Sequence, residues 1–124
     1  MDNQVAVLTV DDQTSFRSLL REVIDAAPGF RLVGEAASGE TALDAVETLS
    51  PRLVIMDKRM PGMNGIEACR LLTERHPVVV VVITSVEDPD PTVKESCGAA
   101  AFVRKQDLSP RWLTELWRGH RAPA

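Results

Sequence analysis

Three stretches of this chain are unbroken apolar runs: "VAVLTV" at 5–10, "RLVIMD" at 52–57 and "VVVVVIT" at 78–84. Runs rich in β-branched residues, with no alternation of apolar and polar positions, suit strands covered on both faces, as in a parallel sheet. "RLVGEA" (31–36) and "AAAFVRK" (99–105) are weaker strands of the same kind. Helical patterns lie between them. Phe16, Leu19, Leu20, Val23 and Ile24 follow a 3.6-residue stripe that "APG" closes, and Ala42, Leu43, Val46 and Leu49 repeat it before Pro51. Asn64 followed by Glu67 resembles a capping box opening a third helix, which ends before Pro77. Ser109 with Pro110 starts a last helix carrying Trp112, Leu113, Leu116 and Trp117. Its two tryptophans read as core packing rather than as a stripe for a partner. Five strands thus alternate with five helices, without repeat or internal linker, and the chain reads as a doubly wound α/β sandwich.

The 124 residues suit one domain, which at this size buries about two thirds of its unfolded surface without staples. An apolar fraction of 44% and a charged fraction of 26% are those of an ordinary globular protein. No apolar run reaches the length of a membrane span, and the acidic start "MDNQVAVLTVDD" lacks the basic flank of a signal peptide, so a cytoplasmic location is expected. Cys69 and Cys97 are far apart in sequence and form no CxxC pattern, which suits reduced structural thiols. His76 and His120 have no ligand spacing for zinc. A net charge of -4 argues against nucleic-acid binding by this domain itself.

In doubly wound sheets, ligands bind beyond the carboxyl ends of the strands. Here the first strand ends on Asp11 and Asp12, the third on Asp57, the fourth on Thr84 and Ser85, and the fifth on Lys105. Taken singly, the aspartates could cap helices and turns, and the lysine could pair with a surface acid. Taken together they bring three carboxylates, hydroxyls and one ammonium to a single crevice. Crowded carboxylates raise one another's pKa, and a hard divalent cation with oxygen preference, Mg²⁺, relieves the repulsion. A carboxylate in such a setting is a nucleophile toward a phosphoryl group, forming an aspartyl phosphate. Thr84 and Lys105 would hold the remaining oxygens. Asp57, at the end of a buried and therefore fixed strand, is the acceptor this chemistry needs.

These residues resemble the receiver domain of two-component response regulators. The likeness runs from "VLTVDD" through "IMDKRMPGMNGIEA" and "VVVVVITS" to "CGAAAFVRK", and "VGEAASGETAL" with "VRKQDLSP" is similar to the NarL/FixJ-type (LuxR-like) subfamily. It implies a (βα)5 fold with strand order 2-1-3-4-5, a receiver unit over residues 1–119 and a tail or linker start over 120–124. It further implies that Asp57 accepts a phosphoryl group from a sensor histidine kinase. Mg²⁺ would lie on Asp12, Asp57 and the backbone carbonyl of Arg59, with Asp11 in support. Thr84 and Lys105 would contact the phosphoryl group, and Phe102, three residues before that lysine, would be an aromatic switch or a plain core residue. Homodimerisation on phosphorylation belongs to the same expectation, as do the absence of enzymatic turnover, of direct DNA binding and of a membrane partner.

Several positions depart from the family pattern. Lys58 stands where an apolar residue is usual, Arg59 and Val86 fill the variable positions beside the phosphoryl pocket, and Gln106 replaces a frequent proline. "RGHRAPA" closes the sequence without an effector domain, and its "APA" reads as the start of a linker to one that binds DNA, although a stand-alone receiver fits as well. Pro89 and Pro91 leave only "PTVKESC" for the helix between the last two strands, about two turns with little to bury. Three rival functions are weaker. An aspartate-nucleophile phosphatase wants an acid two residues after Asp57, where Arg59 stands. A flavodoxin-type carrier wants a phosphate loop where "DDQTSF" is acidic. A receiver-like interaction module that is never phosphorylated would have no use for the full acidic set.

Overall fold

The computed structural model describes residues 4–88, 90, 92 and 97–120. Five strands run β1 (Val5–Val10), β2 (Phe30–Ala36), β3 (Leu53–Asp57), β4 (Val80–Ser85) and β5 (Ala101–Arg104), with helices α1 (Thr14–Ala26), α2 (Gly39–Leu49), α3 (Gly65–Arg75) and α4 (Pro110–His120). A short 3₁₀ turn, Lys105–Asp107, follows β5. All pairings are parallel and the order is β2-β1-β3-β4-β5, as expected from the sequence. The short helix expected from "PTVKESC" falls largely outside the described residues.

The unbroken apolar runs have a direct cause. Successive side chains along a strand point to opposite faces, and both faces here are covered. Leu8, Val10, Val54, Met56, Val81 and Ile83 pack with Ala42 and Val46 of α2 and with Ala68 and Leu72 of α3. Val5, Val7, Leu53, Ile55, Val80 and Val82 pack with Phe16, Leu20 and Ile24 of α1 and with Leu113 and Trp117 of α4. Trp117 sits edge-on to Phe30 with ring centroids 6.3 Å apart, and Trp112 is half-buried against the same cluster. Both tryptophans are therefore core residues. The stripe on α1 is narrower than its spacing suggests, because Leu19 remains 49% exposed.

Helix starts follow local side-chain chemistry. The Asn64 side-chain Oδ1 accepts the Glu67 N–H at 2.9 Å, and the Ser109 hydroxyl oxygen accepts that of Trp112 at 3.0 Å. Asn64 thus makes the first half of the expected capping box. The complete box is at α2, where Ser38 and Thr41 exchange side-chain to backbone bonds. Cys69 and Cys97, far apart in sequence, meet between α3 and the segment before β5. The Cys69 thiol donates to the Cys97 carbonyl at 3.3 Å, both are buried and unbridged, and burial pushes the Cys69 thiol well above its ordinary range. Among the described residues no helix is long and apolar enough to cross a membrane.

Candidate functional site

The carboxyl ends of β1, β3, β4 and β5 place the predicted residues around one crevice of about 210 Å³, lined by Asp12, Gln13, Asp57, Arg59, Ser85, Val86 and Lys105. Asp57 is the last residue of β3 and pairs in register with Thr84 on β4. It is only 6% exposed, and Asp11 is fully buried. Carboxylate oxygens of Asp11, Asp12 and Asp57 all lie within 4.8 Å of one another. Neither cysteine nor His76 belongs to this group.

Lys105 answers the acids. Its ammonium lies 2.8 Å from Asp11 Oδ2 and 3.5 Å from Asp57 Oδ2, across 94 residues of chain in the first case. The same ammonium stands 4.3 Å from the centre of the Phe16 ring, a cation–π contact. Asp11 also shapes its own loop. Its Oδ1 accepts the Gln13 N–H at 2.8 Å, and its backbone carbonyl accepts from the Arg17 guanidinium. The turn-capping role of Asp11 and its part in the acidic group therefore coexist.

One ammonium among three carboxylates leaves a deficit. Burial above all, and then the Asp11 charge, hold Asp57 above the ordinary carboxylate range, against the opposing pull of Lys105. A raised folded-state pKa means that the fold favours the protonated form. Stability from that protonation is complete below the unfolded value, near 4, and is lost as pH rises through the folded value. At pH 7 the ionised Asp57 is thus a burden on the metal-free protein. The Asp57→Asn variant is expected to have a higher urea midpoint than the wild type at pH 7, with the advantage shrinking toward pH ~4. A gap that stays constant or widens in acid would contradict this reading.

Thr84 supplies the other sign of an incomplete site. Its Oγ1 is buried beside Asp57 and has no hydrogen-bond partner, a costly state for a hydroxyl. Ser85, which the sequence groups with it, is engaged elsewhere, its Oγ accepting the Glu87 N–H at 3.1 Å. Three clustered carboxylates form an all-oxygen donor set of the kind a hard divalent cation takes, so the residues present fit Mg²⁺. Arg59 lies in the same crevice, with its N–H 3.4 Å from Asp57 Oδ1. Phe102 pairs in register with Ile83 and is half-buried against the core on the α2 and α3 side.

Two contributors have no mark in the sequence reading. Gly65 opens α3 against the backbone that follows Asp57, where a Cβ would stand 2.0 Å from the Asp57 carbonyl oxygen. A glycine where alanine would be the better helix former is the one signal that could have found it. Glu87 meets Arg59 over the crevice, its Oε1 2.9 Å from Nη2, and this pairing holds its carboxyl below the ordinary range. No sequence spacing announces that pair.

Residues 7–115 match the family described as "Response regulator receiver domain". Response regulator GacA of Pseudomonas viridiflava is 40% identical over 103 residues, which cover 82% of this chain and 48% of that protein. A protein-glutamate methylesterase/protein-glutamine glutaminase of Pyrococcus horikoshii is 36% identical over 112 residues, covering 88% of this chain and 30% of that one. The chain therefore spans half or less of the length of these curated relatives. The crystal structure of a LuxR-family two-component response regulator from Aurantimonas sp. superposes with a TM-score of 0.84 at 26% identity, over 94% of this chain and 84% of that one.

Proposed function

This chain belongs to the response regulator receiver family, with relatives of the NarL/FixJ type, and on that premise we propose that Asp57 is its phosphoacceptor. One observation carries the assignment. Asp57 is the buried carboxylate that stands within 4.8 Å of two other acids, 3.5 Å from the Lys105 ammonium and beside the unpartnered Thr84 hydroxyl. In the transfer, an Asp57 carboxylate oxygen forms a bond to phosphorus as the bond from phosphorus to the donor's leaving atom breaks. That atom is the imidazole nitrogen of a kinase phosphohistidine, or the acyl oxygen of acetyl phosphate, and it leaves with the electron pair.

Asp12, Asp57 and the Arg59 carbonyl would hold Mg²⁺, with Asp11 in support. Bound there, the ion would offset the negative charge gathered on acceptor and phosphoryl oxygens. Thr84 Oγ1 gains its missing partner by donating to a phosphoryl oxygen. Lys105, once the Asp57 carboxylate has become an acyl phosphate, pairs with another. Movement of the Thr84 hydroxyl toward the new group opens space on the β4–β5 side, and a change of the Phe102 rotamer fills it, altering the surface a partner reads. The receiver unit spans residues 1–119, works in the cytoplasm without turnover of its own, and dimerises when phosphorylated. Its output is transcriptional, through a DNA-binding domain of the kind the NarL/FixJ-type subfamily carries. The GacA and LuxR-family relatives support that output, whereas the methylesterase relative would favour an enzymatic effector.

Incubation with Mg²⁺ and acetyl phosphate is the direct test. The intact mass should rise by one phosphoryl group, stable in acid and labile in base. An unchanged mass at saturating donor would leave only the interaction-module reading. The metal assignment has its own check. Asp12→Ala removes one hard oxygen, and Mg²⁺ affinity measured by calorimetry should fall by at least about tenfold, since even groups that merely support a metal ligand cost that much when lost. Wild-type affinity in that variant would reduce Asp12 to a loop residue.

A further inference from the structure

The rim of the crevice carries an ion pair that the transfer chemistry leaves unused. Arg59, two residues past Asp57 on the loop from β3 to α3, places Nη2 2.9 Å and Nε 3.2 Å from Glu87 Oε1, just past the end of β4. The Lys58 ammonium lies 3.9 Å from the same oxygen. The next residue, Asp88, is engaged on the opposite side, with Oδ1 3.4 Å from Arg104 Nη1 at the end of β5. Neighbouring acids past the end of β4 thus pair with cations on the β3–α3 loop and at the end of β5.

Both members of the Arg59–Glu87 pair face solvent, at 71% and 51% side-chain exposure. Exposed pairs of this kind are weak and exchange readily. A guanidinium prefers a doubly charged phosphoryl group, which offers several acceptor oxygens, to a single solvated carboxylate. Arg59 lines the crevice that contains Asp57, so an incoming phosphodonor and Glu87 are rivals for the same fork of N–H groups.

We propose that Glu87 is a positioning residue that holds Arg59 in reserve at the crevice rim, and that the phosphoryl group takes this guanidinium from it. The inference rests on the reading of Asp57 as acceptor. Two consequences follow from the competition. Glu87 raises the donor concentration needed for phosphorylation, because the donor must displace it. Transfer of Arg59 to the phosphoryl group also unties the end of β4 from the β3–α3 loop.

The test follows the rate of labelling of the full chain against acetyl phosphate concentration at fixed Mg²⁺. Glu87→Gln should reach its half-maximal rate at a several-fold lower donor concentration, with little change in the maximal rate. Glu87→Asp should return toward the wild type. Asp88→Asn makes the same charge change one residue away, against Arg104, and should leave the dependence unaltered. In an Arg59→Gln background, Glu87→Gln should have no further effect. An unchanged donor dependence in Glu87→Gln overturns the proposal, as does an equal effect from Asp88→Asn or one that survives in the Arg59→Gln background. No labelling in any protein, wild type included, overturns the acceptor reading and this proposal with it.

Discussion

Asp57→Asn should take up no phosphoryl group from acetyl phosphate and Mg²⁺, a complete loss and not a slowing. An amide oxygen is a poor nucleophile and cannot form the acyl phosphate. The neighbouring acids are badly placed to substitute. Asp11 is fully buried, bonded to Lys105 at 2.8 Å and to the Gln13 amide at 2.8 Å, so both of its oxygens are engaged. Asp12 is exposed on the loop after β1, off the strand end that fixes the acceptor. Intact mass after incubation decides the matter, and the higher urea midpoint expected of the same variant shows that it is folded when it fails to react. Labelling of Asp57→Asn at the wild-type level would move the acceptor to another residue.

The second large effect is on stability. Gly65→Ala puts a methyl group 2.0 Å from the Asp57 carbonyl oxygen, 2.9 Å from its carbon and 3.1 Å from the Lys58 Cα. All three are backbone atoms, so no side chain can swing aside. The Gly65 N–H also donates to the Lys58 carbonyl at 2.9 Å, which pins the start of α3 to the same turn. Alanine gains up to about 1 kcal/mol of helix propensity over glycine, but overpacking against rigid atoms costs about 1–3 kcal/mol and occasionally more. A net loss of roughly 2 kcal/mol is expected from the balance of these terms, read as a lower urea midpoint at unchanged slope. Labelling by acetyl phosphate should slow in parallel, because the shifted backbone carries Asp57. A variant as stable as the wild type would show that α3 does not approach the strand end so closely in solution.

The sequence made the sheet and the strand-end residues legible for the same reason. Strands buried on both faces must be apolar throughout, so a charge at the end of such a run is conspicuous, and Asp11, Asp57 and Lys105 stand out. Thr84 stands out less, because its unpartnered hydroxyl is a property of the folded packing and not of any local pattern. Gly65 and Glu87 were hidden for a different reason. The first matters through the approach of two backbones and the second through a contact across 28 residues, and neither leaves a local pattern. The capping box at Ser38 has Thr41 where the usual signature has Glu or Gln, so the sequence does not announce it. The exposure of Leu19 depends on which neighbours α1 meets, which spacing alone does not state.

The strand order also has a consequence in time. Lys105 reaches Asp11 across 94 residues and stands directly after β5, the last strand to be made and the outermost on its side of the sheet. A contact between residues so distant in the chain carries a large loop-closure cost before pairing rewards it. A growing or partly folded chain that has assembled β1, β3 and β4 brings its carboxylates together with no ammonium to answer them. Their mutual repulsion opposes closure of the crevice until β5 docks. The site is therefore complete only once β5 has docked, and a chain able to receive a signal is one with its edge strand in place.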